Sequence, residues 1–509
     1  MAVLNELWLP VMGLYFTLLV FFLAIGGNLL YLTFLAWTRP PRHAPPAPLT
    51  EYPRVTVQLP IYNELYVVER LIEAACRLEW PRERLEIQVL DDSTDETQFI
   101  AERLVQRYAR QGIDIVHIWR SERIGFKAGA LEAGVRSAHG EFLAIFDADF
   151  VPPPKFLLET IPYFQYERVG FVQARWGHLN RSYSLLTELQ SVIIDAHFLV
   201  DQVARSRAGF FMNFNGTAGV WRRAAIVDAG GWEHDTLAED LDLSYRAQLR
   251  GWEAVYLPDV VAYAELPVTV GSYRSQQRRW AAGSFACAIK LLPTVLRAPL
   301  PAMVKAQALL HMLGYVSHVS LLLMFLLQPF LLYFAQHIPI GAAPQQPGIS
   351  WWFPLTLVPS MAPVIYLTYS QWRTGQRLAS RLPYVACASV LGAGIMVTVV
   401  GAMLRVLSSK KQFVFERTPK YGIARPSDSW ERKRYGLSAD FVVLFELLLA
   451  CYSVGNVAYA AMLKSWSSAF YTSYFLIGLL FILFTNFAQM SAPLLLRPLA
   501  STPSGNQEP

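Results

Sequence analysis

Charge is what this chain has little of. Charged residues make up 16% of it and hydrophobic residues 53%, against roughly 25% charged in an ordinary soluble domain. Cysteine is sparse too: Cys76, Cys287, Cys387 and Cys451 lie far apart, with no C-x-x-C pair. That argues against a zinc site or a disulfide framework and leaves them as small apolar residues. No internal repeat is evident. The net charge of +5 is modest, and no basic block is interleaved with aromatics, so nucleic acid is not expected as a partner. The surplus of Lys and Arg fits loops beside an anionic cytoplasmic leaflet.

The apolar residues are segregated. A first run, about Leu9 to Leu35, is long enough to cross roughly 30 Å of hydrocarbon. It is too long for a signal-peptide core, lacks a basic leader, and reads as a retained anchor. Arg39-Pro40-Pro41-Arg42-His43 and the prolines up to Pro48 follow, placing that end in the cytoplasm and forming an extended spacer. Further runs are Met303–Phe334, Trp352–Tyr369, Phe441–Leu463 and Phe470–Phe487. A fifth late stretch, Leu382–Leu407, is equally apolar, but both flanking loops are basic. Arg373, Arg377 and Arg381 precede it; Lys410, Lys411, Arg417, Lys420, Arg425, Arg432, Lys433 and Arg434 follow. Crossing would put these loops on opposite sides, against the positive-inside tendency. It is therefore expected to lie at the interface or re-enter, leaving five spans with the N-terminus outside and the C-terminus inside.

The expected organisation is an anchor over 1–38, a Pro-rich linker over 39–54 and a cytoplasmic catalytic domain over 55–284. An interfacial segment over 285–300 leads to membrane or interfacial helices over 301–490, which include a loop at 408–436. A tail over 491–509 ends the chain, its last residues, Ser501–Pro509, expected to be disordered.

From Val55 short β-branched runs alternate with helical stretches. Strands are expected at Val55–Ile61, Ile87–Leu90, Ile113–Ile118 and Phe142–Phe146, and helices at Glu64–Leu78, Thr94–Gln111 and Lys127–Ala138. This predicts an α/β fold, a mostly parallel sheet with helices on both faces, flanked by a helical transmembrane region. Such sheets bind ligands at the carboxyl ends of their strands, where Asp91-Asp92 and Asp147/Asp149 fall.

Five short segments could carry chemistry, and each has a plainer alternative. Asp147 and Asp149 face the same way as an extended strand ends and suit a hard divalent metal bridging phosphates; D-x-D is also common in solvated turns. Asp91-Asp92-Ser93-Thr94-Asp95 has similar geometry, with Ser93 or Asp92 able to serve as a helix N-cap. Glu239-Asp240-Leu241-Asp242 offers a candidate base, or the acidic first turn of a helix. Gln276-Gln277-Arg278-Arg279-Trp280 offers a cation and a flat ring to a phosphate and a sugar, or an interfacial Arg/Trp belt. Gly125-Phe126-Lys127-Ala128-Gly129 opens a helix whose N-terminus and lysine suit a phosphate, or is a glycine turn.

Their order is more telling than any one of them. Leu59-Pro60-Ile61-Tyr62-Asn63-Glu64, Asp91–Asp95, Lys127–Leu131, Asp147-Ala148-Asp149, Glu239-Asp240 and Gln276–Trp280 closely resemble the motif set of the family 2 inverting glycosyltransferases. Trp80-Pro81 and Glu265-Leu266-Pro267 resemble the cellulose synthase-like branch that makes mannan, glucomannan or the xyloglucan backbone. The resemblance covers about residues 55–285 and implies a GT-A-type fold. It also implies roles. Asp91 and Asp92 hold the nucleoside, Lys127, Gln276 and Arg279 the donor, and Asp147 the diphosphate. Asp149, with Asp147, binds Mg²⁺ or Mn²⁺. Asp240 takes the acceptor proton, and Glu239 and Trp280 meet the acceptor.

Phe415-Glu416-Arg417-Thr418-Pro419-Lys420 is similar to the gating loop of cellulose synthases, which implies Thr418 and Lys420 near the donor phosphates. Arg417 stands where valine is usual, and Pro419 stiffens the segment. The expected activity is transfer of a hexose from GDP-mannose or UDP-glucose to a growing β-glycan, at a cell or Golgi-type membrane, with secretion of the product. The alternatives are transfer of one sugar to a membrane lipid and, from another class, a transporter or scaffold whose acids are structural. The scarcity of acids in the apolar runs speaks against that last one.

Overall fold

The computed structural model describes residues 7–337, 353–408, 417–431, 433–435 and 440–495. Phe415, Glu416, Lys410, Lys411, Arg432, Trp352 and the tail Ser501–Pro509 lie outside them.

Eight strands form one sheet: β1 (Val55–Ile61), β2 (Leu85–Asp91), β3 (Ile115–Trp119), β4 (Phe142–Ile145), β5 (Phe150–Val151), β6 (Val169–His178), β7 (Gly219–Arg222) and β8 (Glu253–Ala264). Their order is β3-β2-β1-β4-β7-β6-β8-β5. Pairing is parallel from β3 to β4. Beyond that the sheet is mixed, because β7 returns antiparallel between β4 and β6, while β8 pairs parallel with β6. That arrangement positions the site. The carboxyl ends of β1, β2, β4, β6 and β8, and the amino end of β7, all reach one edge of the sheet.

Alternation along β1 divides the core. Val55, Val57, Leu59 and Ile61 pack on one face. Thr56 and Gln58 point to the other and form a buried polar ladder with β2, Thr56 Oγ1 to Glu86 at 2.6 Å and Gln58 Nε2 to Gln88 at 3.1 Å. The Phe126–Ser137 helix covers that face, and its Gly134 leaves room for the ladder: a Cβ there would lie 2.5 Å from Gln58 Nε2. Helices on both faces are thus as expected.

The Pro-rich linker is docked. Arg42 and His43 pair with Glu253 at 3.1 and 3.0 Å, and Gln165 Nε2 donates to Ala47 O at 2.7 Å. The Val270–Arg297 helix runs unbroken past residue 284, so that expected boundary is no break in the chain. The expected Met303–Phe334 span is two helices, Ala302–Met312 and Val316–His337.

Among the described residues five helices are long and apolar enough to cross a membrane: Trp8–Thr38, Val316–Phe334, Leu378–Ser408, Val442–Met462 and Trp466–Ser491. Four of these five overlap expected spans. Phe353–Arg373, with Pro359 and Pro363 inside it, corresponds to the expected Trp352–Tyr369 span and stands beside these five. Leu378–Ser408 is among them, and burial accounts for its composition. It packs against five other long helices, and 61% of its most apolar window is enclosed, so its surface is apolar all round. Gly394 allows its closest approach, since a Cβ there would lie 2.4 Å from Gly478 O.

The helix directions can be read from contacts. Gly26 abuts the Val358–Pro359 backbone, and Leu30 to Trp37 face Ile365 to Trp372, so Trp8–Thr38 and Phe353–Arg373 run parallel. Phe325 meets Tyr452 and Leu332 clusters with Ala460, so Val316–His337 and Val442–Met462 also run parallel. Three residues, 463–465, turn the chain back into Trp466–Leu495.

Candidate functional site

One cleft opens along the sheet edge where the strand ends converge. Every candidate residue named from the sequence lines it except Asp91. Asp91 is fully buried behind the wall, accepting from Ser93 N–H at 2.7 Å and His117 Nε2 at 2.8 Å. Asp92 reaches the cleft with both oxygens held by Arg120, at 2.7 and 2.6 Å. Beside it the Arg123 guanidinium lies 3.5 Å over the Tyr62 ring, a flat cationic platform.

Asp147 and Asp149 follow β4 in a turn closed by Phe150 N–H on Asp147 O at 3.0 Å, so this turn, and not the strand alternation expected, brings both to the cleft. Each carboxylate holds a lysine. Lys127 Nζ lies 2.6 Å from Asp147 Oδ1 and donates to Gly216 O at 2.8 Å. Lys420 Nζ lies 2.6 Å from Asp149 Oδ2 and 2.8 Å from Glu265 O. Burial works against the Lys127 ammonium, but the Asp147 and Glu239 carboxylates outweigh it and hold its pKa above the usual value. Lys127 sits in the first turn of its helix because Gly125, at φ +72°, turns the chain into it. Gly129 lets Ile124 close on that turn, since a Cβ there would lie 2.0 Å from Ile124 O.

Asp240 lies in the first turn of the Glu239–Leu249 helix, its Oδ1 accepting from Leu241 N–H at 2.8 Å. Burial pushes its carboxyl up to about 7, the Glu239 charge adds to the rise, and Lys127 opposes it. A base poised near neutrality is what proton abstraction from a hydroxyl requires. Gly216, at φ +78°, passes directly above, and a Cβ on it would come 2.9 Å from Asp240 Oδ2.

Gln276, Arg279 and Trp280 share one face of the Val270–Arg297 helix, three and four residues apart. The other side of that helix is pinned to the apolar helices. Arg274 pairs with buried Glu446 and donates to Asn486 at 3.3 Å, and Arg278 pairs with Asp440 at 2.8 Å. Trp280 faces Trp176 with ring centroids 6.5 Å apart, so two indoles flank one end of the cleft.

The segment from Arg417 forms a wall. Arg417 grips Glu64 through two bonds, at 3.1 and 2.8 Å. Burial raises the Glu64 carboxyl to about 7 despite that guanidinium. Glu265 accepts from Tyr421 N–H and Ile423 N–H, at 2.9 and 3.0 Å. Arginine at 417 thus has a partner that valine could not supply. Trp176 Nε1, Asn215 Nδ2, Gln276 Oε1 and Thr418 Oγ1 are buried here without hydrogen-bond partners, and all four residues line the cleft. Buried polar atoms left unpaired are costly, and four at one cleft call for a polar ligand.

Sequence reasoning missed His178, Asn215 and Arg123. His178 ends β6 and contacts Asp195 at 3.0 Å. Asn215 precedes β7 and contacts His197 Nε2 at 2.9 Å. The glycine and polar residues of Asn213-Phe214-Asn215-Gly216-Thr217 ahead of a strand were the one available signal for the second. An acidic cluster outside the cleft, Glu233, Asp235 and Asp242, is already bridged by Lys290.

Comparison with known proteins agrees with this geometry. Residues 53–283 match the family model described as "Glycosyltransferase like family 2". The chain is 49% identical over 238 residues to a rice protein named probable glucomannan 4-beta-mannosyltransferase 7, covering 46% of this chain and 41% of that one. It is 44% identical over 270 residues to glucomannan 4-beta-mannosyltransferase 2 of Arabidopsis thaliana, covering 50% and 51%. The chain thus spans about half the length, or less, of the curated relatives it matches. A solved mannosyltransferase from Pyrobaculum calidifontis, in complex with GDP-Man and Mn²⁺, superposes with a TM-score of 0.52 at 22% identity. The match covers 80% of this chain and 100% of that one and shows that the fold is of the GT-A type. Residues 53–283 are thus similar to glycosyltransferase family 2, and the relatives matched over that region are named glucomannan 4-beta-mannosyltransferases.

Proposed function

We propose that the protein transfers a mannosyl group from GDP-mannose to the end of a growing β-linked glucomannan or mannan, with inversion at the anomeric carbon. One observation carries the reading: two lysine-capped carboxylates, Asp147 and Asp149, share a cleft with a carboxyl poised near neutrality, Asp240. The names of the relatives favour mannose over glucose. Tyr62 and Arg123, beside Asp92, offer a flat surface to the base. Asp91 acts from behind by fixing His117 and Ser93, which refines the role first assigned to it. Trp280 and Trp176 receive the acceptor sugar, with Glu239 beside it. The acceptor oxygen attacks the anomeric carbon, Asp240 takes its proton, and the bond to the diphosphate breaks, releasing the nucleoside diphosphate.

The donor set fits a divalent cation. Asp147 and Asp149 present hard oxygens, and the two ammonium groups already held there mark where positive charge is stabilised. These carboxylates would hold Mg²⁺ or Mn²⁺, which neutralises the departing diphosphate. Lys127, Arg279, Gln276, Thr418 and Lys420 supply the remaining donors to the phosphates. The purified protein in detergent, given a panel of nucleotide sugars with either metal, should release nucleotide from GDP-mannose and form a mannanase-digestible polymer. Turnover confined to UDP-sugars, or a single-sugar lipid product, would refute this.

The catalytic domain faces the cytoplasm, and Leu378–Ser408 does not carry the chain across. Its first turns are tied to that domain: Arg381 donates to Glu188 at 2.7 Å and to Ser191 Oγ at 3.4 Å. Nine residues past its end, the next described residue, Arg417, is already in the cleft wall. Both flanks therefore belong on one side, as their basic charge requires. In sealed vesicles of a cysteine-free background, Gln376→Cys and Ser429→Cys should label from the same side and Lys464→Cys from the other. Opposite labelling of the first two would mean a true crossing.

A further inference from the structure

A second groove lies away from the cleft, between the parallel helices Trp8–Thr38 and Phe353–Arg373. Leu30, Phe34 and Trp37 line one side and Ile365, Tyr369 and Trp372 the other. The lining is almost wholly apolar: the hydroxyl of Thr33, which also lines it, is already donated to Leu29 O at 2.7 Å. Trp37 and Trp372 flank the same end and are 69% and 54% exposed, the placement of indoles at a membrane–water boundary.

That end is basic. Arg207, from the Val203–Ala208 helix of the catalytic domain, donates to Ala36 O at 2.9 Å and to Arg39 O at 2.8 Å. Arg373 follows Trp372 and donates to the Tyr369 hydroxyl at 3.4 Å, so it stands at the mouth. Two guanidiniums thus stand at that end of the groove. After burial, the Arg373 charge is the largest influence lowering the pKa of Arg207, and Tyr369 and Asp259 oppose it more weakly. Two arginines at the end of an apolar groove suit an anion.

We propose that this groove binds one anionic phospholipid, an acyl chain lying between Trp37 and Trp372 and the headgroup phosphate on Arg207 and Arg373. An apolar tail with a phosphate at its end matches both halves of the site. A free anion would leave the groove bare, and a protein helix would leave the arginines unmatched. The site joins the first helix, the Phe353–Arg373 helix and the catalytic domain, so its occupant ties the domain to the bilayer. The inference assumes both helices lie in the membrane and does not depend on which sugar is transferred.

The test is native mass spectrometry of the detergent-purified full chain, incubated with phosphatidylglycerol and phosphatidylcholine of identical acyl chains. One phosphatidylglycerol should be retained in preference. Arg373→Gln should cut that preference about fivefold, the effect of one arginine near an anionic lipid surface, and Arg373→Lys should restore most of it. Ile365→Trp, which fills the groove and leaves the charges alone, should abolish retention of the lipid. Melting curves report whether each variant is folded, and if Arg373→Gln is not, Ile365→Trp decides alone. Unchanged preference in the folded variants overturns the proposal. So does displacement by millimolar inorganic phosphate as effective as by the lipid, which would make this a free-anion site.

Discussion

Asp240→Asn should lower sugar transfer by about 10²–10⁴, the usual contribution of a positioned general base, while leaving donor binding nearly unchanged. In the wild type the rate should rise with pH through about 7, because the carboxyl must be ionised to accept the acceptor proton and burial has raised it to that value. Stability should move the other way. A carboxyl whose folded pKa exceeds its unfolded value favours the folded state when protonated, and that benefit is lost as pH climbs from about 4 to 7. The asparagine variant keeps the neutral form throughout, so its melting temperature should exceed that of the wild type at pH 8 and match it near pH 4. Steady-state kinetics and thermal melts across that range check both. A variant with full turnover would remove Asp240 as the base. A loss of turnover with equally lost donor affinity would mark it as a donor-site residue.

Asp149→Asn should be nearly as damaging for a different reason. Removing the carboxylate withdraws a hard oxygen from the cation site, and a bound metal contributes several kcal/mol to charge neutralisation, so kcat/KM should fall about 10²-fold or more. It also removes one partner of Lys420, whose ammonium lies 2.6 Å from Asp149 and keeps Glu265 O at 2.8 Å. Losing such a charged hydrogen bond costs about 1.5–3 kcal/mol of stability. Lys420→Met separates the two effects. It frees the carboxylate, so Mn²⁺ should bind the donor-free protein more tightly, yet turnover should fall because the cation facing the phosphates is gone. Mn²⁺ titration followed by electron paramagnetic resonance reads the first, and nucleotide release reads the second. Metal affinity unchanged in both variants would mean the cation sits elsewhere.

The placement of Lys420 bears on how the cleft is entered. The wall from Arg417 to Tyr435 is held by Glu64, Asp149, Glu265, Glu96 and Asp95. These acids come from four segments at the sheet edge, Asp95 and Glu96 sharing one, so the wall is fastened across several strand ends. A cation arriving at Asp149 competes with Lys420 for the same oxygen, which couples metal entry to the position of this wall.

Much of the fold was legible in the residues. β1 was placed from Val55 to Ile61 as found, and the Lys127–Ala138 helix was displaced by one residue, because buried parallel strands and the helices covering them have clear apolar patterns. Helix starts were less legible. The predicted start at Glu64 falls at Val68, and the one at Thr94 falls at Thr97, since both segments first spend residues on turns that serve the cleft. Asp147/Asp149, Asp240 and the Gln276–Trp280 face could be named because each lies on one short element whose geometry its own sequence sets.

What the amino acids alone determined, then, is which segments are strands, which are apolar enough for a bilayer, and which side chains carry acid, cation or ring. Only the tertiary structure decided that Asp91 turns away behind the wall, that His178 and Asn215 join the cleft, and that Phe353–Arg373 pairs with the first helix. It also decided that Leu378–Ser408 is apolar because other helices enclose it. The reason is common to all four: hydropathy and spacing report a residue's own transfer energy and direction, whereas these outcomes depend on contacts with other elements of the fold.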